Sequence, residues 1–234
     1  MIKALIFDVD GTIADTERAH MAAFNMAFES EGLPWQWSES VYRDLLAISG
    51  GKERIRHFWN QVNADVKSMD GTALQDTVER LHLLKTAAYE QAVRDGAVEM
   101  RPGVLALMQE AREAGLALAI ATTTSPVNIT ALMRQYLGHD WDAHFAVIED
   151  ASTAPHKKPH PQVYLQTLSR LGLSPDECVA IEDSENGLRA AMAAGLATVI
   201  TPNSFTNHHD FTGALRVVPD LGDVQLSRLM SWLN

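Results

Sequence analysis

The sequence contains little that would place it outside the cell or in a membrane. One of its 234 residues is a cysteine, Cys178, so the chain by itself forms neither a disulfide nor a Cys-x-x-Cys metal pair. No apolar run approaches the length that spans a bilayer, and the opening residues lack a basic segment followed by a signal-length apolar core. We therefore expect a cytoplasmic protein without a membrane partner.

Positive charge is also scarce. Lys and Arg together number 19 against 30 Asp and Glu, which gives a formal net charge of -11. This excess of negative charge works against binding a nucleic acid or an acidic membrane surface. We expect no nucleic-acid partner, and any anionic ligand must be met by a local positive site. Repeats and low-complexity tracts are absent from the sequence, so we expect the whole chain to fold.

Five short apolar segments are typical of buried strands, and each stops at polar or turn-forming residues. Helical patterns lie between them, and those at 103–115 and 185–195 end at glycine, a common residue just past a helix C-terminus. Strands that alternate with helices predict an α/β fold, with a parallel sheet covered on both faces. The predicted strands are 2–7, 116–121, 145–149, 178–182 and 196–200.

Residues from about 17 to 91 have a different pattern, which contains no strand-like run. Met21, Phe24 and Phe28 recur at spacings of three and four, as on one face of a helix, and 74–95 continues as a long helical stretch. A helical insert thus follows the first strand. The predicted division is a core domain of residues 1–16 and 92–234 and a helical cap domain of residues 17–91.

Two carboxylates, Asp8 and Asp10, follow the first strand in the string DVDGT. Residues two apart in extended backbone face the same side, so these groups repel unless a cation is near. Oxygen ligands of this kind favour magnesium, and Glu182 and Asp183 after the fourth strand would complete such a site. The alternatives are an ordinary Asp-Gly turn at the first string and helix capping at the second.

Two other loops carry groups that suit a phosphate. Thr122, Thr123 and Thr124 follow a strand and precede a helix, so their hydroxyl and N–H groups would face an anion at the helix N-terminus. Lys158 precedes another helix and would supply a countercharge for a phosphoryl group and for Asp8. Ligands of open parallel sheets sit beyond the carboxyl ends of the strands, so these groups would converge under the cap. Simple N-capping and a solvated surface lysine are the alternatives.

The ordered set of DVDGT, the threonine at 122, KKP at 157–159 and IEDSENG at 181–187 resembles the haloacid dehalogenase superfamily over essentially the whole chain. The position of the insert is similar to that of the subclass with a helical C1 cap. The strings GGKERI, LHLLKT, ATTTSP and EDSENGLRAA further resemble the CbbY-like sugar phosphatases, which include xylulose-1,5-bisphosphate phosphatase. The resemblance implies a Rossmann-like parallel sheet core with an inserted helical cap domain.

The resemblance also implies a mechanism. Asp8 would be the nucleophile that forms an aspartyl-phosphate, and Asp10 would protonate the leaving oxygen and then activate water. Thr122 and Lys158 would hold the phosphoryl oxygens. The implied magnesium ligands are Asp8, Asp10, through its main-chain carbonyl as well, and Asp183, with Glu182 nearby or acting through water.

Substrate contacts are expected mainly from the cap. Lys52 and Arg56 share a helix face while Arg54 points away, so part of this basic group can reach one ligand. If the resemblance to the bisphosphatases holds, Lys52 and Arg54 would grip a distal phosphate. A solvated helix face is the alternative. The candidate substrate-binding residues are Glu17, His20, Tyr42, Gly50, Gly51, Lys52, Arg54, His82 and Lys85 in the cap, and Thr123, Thr124 and Asn186 in the core.

These observations predict a magnesium-dependent phosphatase of small phosphorylated sugars, with a ketopentose bisphosphate such as xylulose-1,5-bisphosphate as a candidate substrate. A monomer is expected. A phosphomutase resembling β-phosphoglucomutase and a phosphoglycolate phosphatase are the alternatives within the superfamily. A phospho-accepting signalling switch is a third possibility, against which the acid at Asp10 and the roomy cap argue, since such a protein must keep its phosphoryl group.

Overall fold

The computed structural model describes residues 1–62 and 71–233, which contain a six-stranded sheet in which every strand pairs in parallel with its neighbours. The strands are β1 Ala4–Phe7, β2 Ala117–Ala121, β3 Val147–Glu149, β4 Cys178–Glu182, β5 Ala197–Ile200 and β6 Arg216–Val217. The helices are α1 Glu17–Ser30, α2 Glu39–Leu45, α3 Gly51–Val62, α4 Gly71–Arg94, α5 Val104–Glu113, α6 Pro126–Leu137, α7 Gln162–Leu171, α8 Glu185–Ala193 and α9 Leu226–Ser231. Short 3-10 helices are Trp141–His144 and Pro175–Glu177.

The chain divides into two compact units, Met1–Thr16 with Val98–Asn234 and Glu17–Ala97. The first boundary coincides with the expected one. The second boundary lies at 97/98, six residues beyond the expected 91/92. The helix α4 continues to Arg94, and Gly96, whose φ is +79°, follows its end. Residues 63–70 of the expected cap lie outside the described residues.

The sheet unit forms because its strands are apolar on both faces. All four residues of β1 are fully buried, as expected for a central strand of a parallel sheet covered by helices. Ala4 is paired with Ala117 on one side and with Cys178 on the other. Cys178 is buried and free, at the start of β4. The predicted α/β fold is confirmed, and all five predicted strands are present.

The strand order β3-β2-β1-β4-β5-β6 places the first strand in the middle. The chain runs outward from β1 through β2 to β3 and then returns to the other side of β1 as β4. This reversal is a topological switch point, where the loops after adjacent strands diverge and leave a crevice. The residues that follow β1 and β4, Asp8 and Asp183, therefore lie at the position where open α/β sheets bind ligands.

The sixth strand was not predicted from the sequence. It consists of two exposed residues, Arg216 and Val217, that pair with Val199 and Ile200 at the edge of the sheet. A strand of two residues has no alternation and no apolar run, so its sequence carries no strand signal.

The helical unit is organised around aromatic side chains from α1 and the segment before α2. Trp37 is 1% exposed and its ring centroid lies 4.6 Å from that of Phe24 and 4.9 Å from that of Phe28. The helix-spaced aromatics at 24 and 28 thus form a core, as the periodicity predicts. Among the helices of the described ranges, none has the length and apolar character that crossing a bilayer requires.

Candidate active site

The carboxyl ends of three neighbouring strands bring together polar residues that are far apart in the sequence. Asp8 follows β1, Thr122 follows β2 and Asp183 follows β4, and all three are buried. The sheet hydrogen bonding continues past the end of β1, where the Asp8 N–H donates to the carbonyl of Ile181 at 3.0 Å. Rigid strand ends therefore set the positions of these side chains.

The turn after Asp8 is built on Gly11. Its φ of +78° lies in the left-handed region, and its N–H donates to the Ala14 carbonyl at 2.9 Å. A Cβ at this position would lie 2.4 Å from Asp183 Oδ2. Glycine is therefore required here both by the backbone conformation and by the close approach of Asp183.

Lys158 lies among the buried carboxylates. Its Nζ donates to Asp8 Oδ1 at 2.7 Å, to Glu182 Oε1 at 2.6 Å and to the Ala121 carbonyl at 2.8 Å. The side chain is 4% exposed, so the ammonium group exchanges water for three oxygen acceptors. The structure thus excludes the alternative of a solvated surface lysine.

The site carries more negative than positive charge. Burial raises the pKa of Asp8 to about 7, because the repulsion of Glu182 and Asp10 adds to the desolvation and the attraction of Lys158 offsets only part of it. Burial lowers the pKa of Lys158, but the attraction of Asp8 and Glu182 is stronger, so the net shift is upward. Lys158 is therefore a stable cation that compensates only part of the negative charge.

Among the described residues, three carboxylates form a group that could hold a metal ion. Asp8, Glu182 and Asp183 each offer one oxygen, and these oxygens lie within 4.8 Å of one another. The hydroxyl of Thr12 lies between two of them, 3.3 Å from Asp8 Oδ2 and 3.5 Å from Asp183 Oδ1. Asp10 is half-buried in the same turn, where its backbone forms a bridge with Ala14. These groups could hold one divalent cation.

Helix capping does not account for Asp183. The N-cap of α8 is Ser184, whose hydroxyl accepts the Gly187 N–H at 3.1 Å. The Asp183 carboxylate instead accepts hydrogen bonds from Thr12 and from Asn203 Nδ2, the latter at 2.8 Å. Asn186, a predicted substrate contact, lies in the first turn of α8 and is half-buried.

The three threonines after β2 lie next to the N-terminus of α6 without capping it. Ser125 is the N-cap, and its hydroxyl accepts the Asn128 N–H. Thr122 is buried and its hydroxyl accepts the Thr124 N–H at 3.3 Å, while Thr124 Oγ1 accepts from Asn128 Nδ2 at 3.0 Å. Thr123, between them, is half-buried. These bonds order the segment in which we predicted a phosphate contact.

In the helical unit, three predicted residues form one hydrogen-bonded group. Tyr42 donates to Glu17 Oε2 at 2.8 Å and accepts from Arg54 Nη1 at 3.1 Å. Arg54 also donates to the carbonyls of Leu45 and Ile48, each at 3.1 Å. Its guanidinium therefore supports the end of α2 and the following loop.

Lys52 and Arg56 lie on a different face of α3 from Arg54, as the helical spacing predicts. Lys52 Nζ is 3.7 Å from Glu79, and Arg56 contacts Gln75, both on α4. Within the helical unit, the structure therefore does not bring Lys52 and Arg54 to the same partner. Lys52 makes an exposed ion pair, which is what the solvated-face alternative describes.

The remaining predicted cap residues are His20 on α1, His82 and Lys85 on α4, and Gly50 and Gly51 at the start of α3. Lys85 Nζ lies 2.8 Å from His20 Nδ1, and the His20 ring stacks on Tyr89 with centroids 4.0 Å apart. Lys85 and His20 are both buried. The ring of His82 packs against Gly51, where a Cβ would come within 2.9 Å of it, and Gly50 adopts a φ of +100°.

Several residues of the site were not predicted. Thr12 stood inside the DVDGT string without a role. Asn203 follows β5, so the rule that selected the other strand ends would also have found it. Arg101 donates to the carbonyls of Gly11, Pro202 and Pro219 at 2.6, 2.9 and 3.0 Å. Tyr164 lies on α7, where it has the sequence pattern of a core residue. Neither Arg101 nor Tyr164 is at a strand end, so neither carried a signal.

A family model described as haloacid dehalogenase-like hydrolase matches residues 2–195. The chain belongs to this family. It is 52% identical over 222 residues to the plasmid-encoded protein CbbY of Cupriavidus necator, covering 95% of this chain and 87% of that protein. The predicted resemblance to CbbY-like members of the superfamily is thereby confirmed.

Two crystal structures of CbbY from Rhodobacter sphaeroides match over nearly the whole chain. One, in complex with phosphate, superposes with a TM-score of 0.90 at 39% identity and covers 98% of this chain and all of that one. The other is a mutant in complex with xylulose-(1,5)bisphosphate, with a TM-score of 0.89 at 40% identity and coverage of 98% and 99%. The sheet order and the flanking helices described above are thus those of a known enzyme fold.

Proposed function

We propose that this protein is a magnesium-dependent phosphatase of small phosphorylated sugars that works through an aspartyl-phosphate on Asp8. The observation that carries the proposal is the buried contact between Asp8 Oδ1 and Lys158 Nζ at 2.7 Å, at the switch point of a parallel sheet. Burial keeps this carboxylate in one orientation with a fixed positive charge beside it. Such preorganisation suits in-line attack on phosphorus.

The donor set fits a divalent magnesium ion. Asp8 Oδ2 and Asp183 Oδ1 share one hydroxyl at 3.3 and 3.5 Å, so both retain lone pairs for a cation. Burial and the repulsion of Glu182 and Asp10 raise the pKa of Asp8 despite the attraction of Lys158, so a further cation beside it would favour the ionised carboxylate. We assign the ion to Asp8, Asp183 and the main-chain carbonyl of Asp10. When bound, magnesium neutralises charge on the phosphoryl oxygens and on Asp8.

Each of these residues has its own role in the two steps of the reaction. An oxygen of ionised Asp8 forms a bond to phosphorus while the ester bond from phosphorus to the sugar oxygen breaks, and Asp10 gives its proton to that oxygen. Water next attacks phosphorus and loses a proton to Asp10, while the bond from phosphorus to the Asp8 oxygen breaks. This step releases phosphate and restores the Asp8 carboxylate. Lys158 and the backbone around Thr122 hold the phosphoryl oxygens during both steps.

We further propose a ketopentose bisphosphate as the substrate. Support comes from the R. sphaeroides relative in complex with xylulose-(1,5)bisphosphate, at 40% identity over almost the whole chain. We assign the choice of sugar to the helical unit, acting as a cap, whose polar residues Glu17, Tyr42 and Arg54 form one ordered group. Arg54 is the cation of that group and is our candidate for the distal phosphate.

The test is phosphate release by the purified protein from xylulose and ribulose bisphosphates, phosphoglycolate and hexose 1- and 6-phosphates. We expect release in the presence of magnesium, its loss in excess chelator, and a marked preference for a ketopentose bisphosphate. Release from none of these substrates would refute the phosphatase proposal. Formation of an isomer that depends on a trace of bisphosphate would instead establish a phosphomutase.

A further inference from the structure

Tyr164 contacts the buried lysine and one of the buried carboxylates at the same time. Its side chain projects from α7 and is fully buried. The hydroxyl donates to Glu182 Oε1, the same oxygen that accepts from Lys158 Nζ at 2.6 Å. The ammonium also lies 5.0 Å from the centroid of the Tyr164 ring, within the range of a cation–π contact. One side chain therefore constrains both partners of an ion pair.

The Glu182 carboxylate is held at both of its oxygens. Oε1 accepts from Lys158 and Tyr164, and Oε2 lies 3.3 Å from the Asp183 N–H. A Cβ on Gly187 would lie 1.9 Å from Oε2, so the start of α8 closes the remaining side. Glu182 is thus engaged in holding Lys158, and the orientation of its carboxylate depends on the tyrosine hydroxyl.

We propose that Tyr164 is a positioning residue, whose hydroxyl fixes Glu182 so that Lys158 is held beside Asp8. This inference rests on the proposed function and deepens it. When a phosphoryl group reaches Lys158, the ammonium has to give up part of its contact with Asp8 or Ala121. The Glu182 contact keeps it in place during that exchange.

The test compares Tyr164→Phe with two variants that lose a hydroxyl elsewhere in the same unit. Tyr136→Phe is the same chemical change at a hydroxyl that contacts the backbone of Val98 and Met100. Thr167→Val removes a buried hydroxyl from the same helix, where it donates to the Val163 carbonyl. Among the described residues, neither of these hydroxyls hydrogen-bonds to a residue of the site. Unfolding midpoints of all three variants separate a loss of stability from a loss of positioning.

For Tyr164→Phe we expect kcat to fall roughly 10- to 100-fold. Inhibition by inorganic phosphate should weaken, because Lys158 no longer meets the anion in one position. Binding of Mn²⁺, measured directly by electron paramagnetic resonance, should stay within about twofold of wild type. Both controls should keep wild-type kcat. Equal kcat in Tyr164→Phe and Tyr136→Phe would overturn the proposal.

A double-mutant cycle shows whether Tyr164 acts through Glu182. In a Glu182→Gln background, Tyr164→Phe should change kcat by less than about twofold, since the two substitutions disturb the same contact. Independent, multiplicative losses would contradict the proposal. Crystal structures of wild type and Tyr164→Phe report the position of Lys158 whether or not the protein is a phosphatase. An unmoved Lys158 with both carboxylate contacts intact would also refute it, while absence of phosphate release by wild type would refute the proposed function.

Discussion

At the residue scale, the proposed mechanism requires Asp8 to be ionised in a buried place that disfavours a charged carboxylate. Burial raises its pKa to about 7 from 3.8, and Lys158 at 2.7 Å recovers only part of the cost of ionisation. A nucleophile with this placement is held poorly hydrated beside a cation, which suits attack on phosphorus. The same placement makes the metal-free protein less stable once Asp8 ionises.

Asp8→Asn tests both consequences. We expect phosphate release to fall by roughly 10⁴-fold or more, because an amide is not a competent nucleophile. In excess chelator the folded state holds the Asp8 proton up to a pH of about 7, whereas the unfolded chain releases it near 3.8. Ionisation therefore removes stability as pH rises between these values, and asparagine escapes this loss.

The measurement is the unfolding midpoint of Asp8→Asn relative to wild type at several pH values in chelator. The difference in favour of the variant should grow between pH 5 and pH 8, by roughly 3–10 °C. A difference that stays constant or shrinks with rising pH would show that Asp8 does not carry a raised pKa.

Asn203 is the neutral partner of the candidate metal ligand Asp183. Its Nδ2 donates to Asp183 Oδ2 at 2.8 Å, and its Oδ1 is fixed by the Phe205 N–H at 2.8 Å. Asn203→Ala should weaken binding of Mg²⁺ or Mn²⁺ roughly 10- to 100-fold, because a freed carboxylate is a less ordered ligand. The rate at saturating metal should change much less.

Titration of Mn²⁺ followed by electron paramagnetic resonance measures that affinity without an activity assay. The exposed Asn207, four residues later in the same loop, offers Asn207→Ala as the control, and this variant should bind like wild type. Equal affinity in Asn203→Ala and Asn207→Ala would rule out the assigned role of Asn203.

The sequence made residues at strand ends predictable. Asp8 and Asp183 were found because parallel strands end at one edge, and a polar residue that follows a buried strand stands out. Tyr164 could not be found in this way. It reaches Glu182 from a helix, and its position in the apolar face of α7 is the same as that of a core side chain.

At the scale of elements, the loops after β1 and β5 are tied together by Arg101. Its guanidinium donates to the carbonyls of Gly11 and Pro202 and also to that of Pro219. A planar group with several N–H donors can serve three carbonyls at once, whereas the ammonium group of lysine cannot reproduce that geometry. Arg101 therefore couples the turn beside Asp8 to the loop that carries Asn203.

Arg101→Lys should lower the unfolding midpoint by roughly 2–10 °C, which corresponds to a loss of about 1–3 kcal/mol in hydrogen bonds to a charged group. The matched control is Arg189→Lys, since the Arg189 side chain is 63% exposed and 3.7 Å from Glu185. We expect the control to move the midpoint by less than about 1 °C. Similar midpoints for the two variants would show that the Arg101 contacts contribute little stability.

Strand prediction succeeded where burial on both faces made the sequence continuously apolar. The core strands lie within two residues of their predicted bounds for this reason, and helix ends at Gly115 and Gly195 follow from positive φ at both glycines. The edge strand β6 is only two exposed residues long, so it has no apolar run that would mark it as a strand. The end of α4 at Arg94 lies one residue from the end of the helical stretch expected over 74–95, and Gly96 with its positive φ follows it.

At the scale of the whole molecule, the net charge of the protein has the same sign as the charge of the proposed substrate. A net charge of -11 repels phosphorylated substrates at long range, so attraction must come from a local cation rather than from the field of the whole molecule. Composition predicted this need for a local cation, and Lys158 is our candidate for it. The division into two units was also visible in the sequence, as the change from alternating strands to continuous helical patterns. The substrate could not be predicted from these patterns, since in our proposal the choice of sugar depends on how a few polar side chains of the helical unit are arranged.

The central claim is that Asp8 carries the phosphoryl group during turnover, and trapping it is the most direct test. Wild-type protein mixed with magnesium and its best substrate is quenched in acid, reduced with borohydride and analysed by peptide mass spectrometry. We predict that the modified residue is Asp8 and that modification disappears in Asp8→Asn and in excess chelator. Rapid phosphate release with an unmodified Asp8, or modification at another residue, would contradict the account.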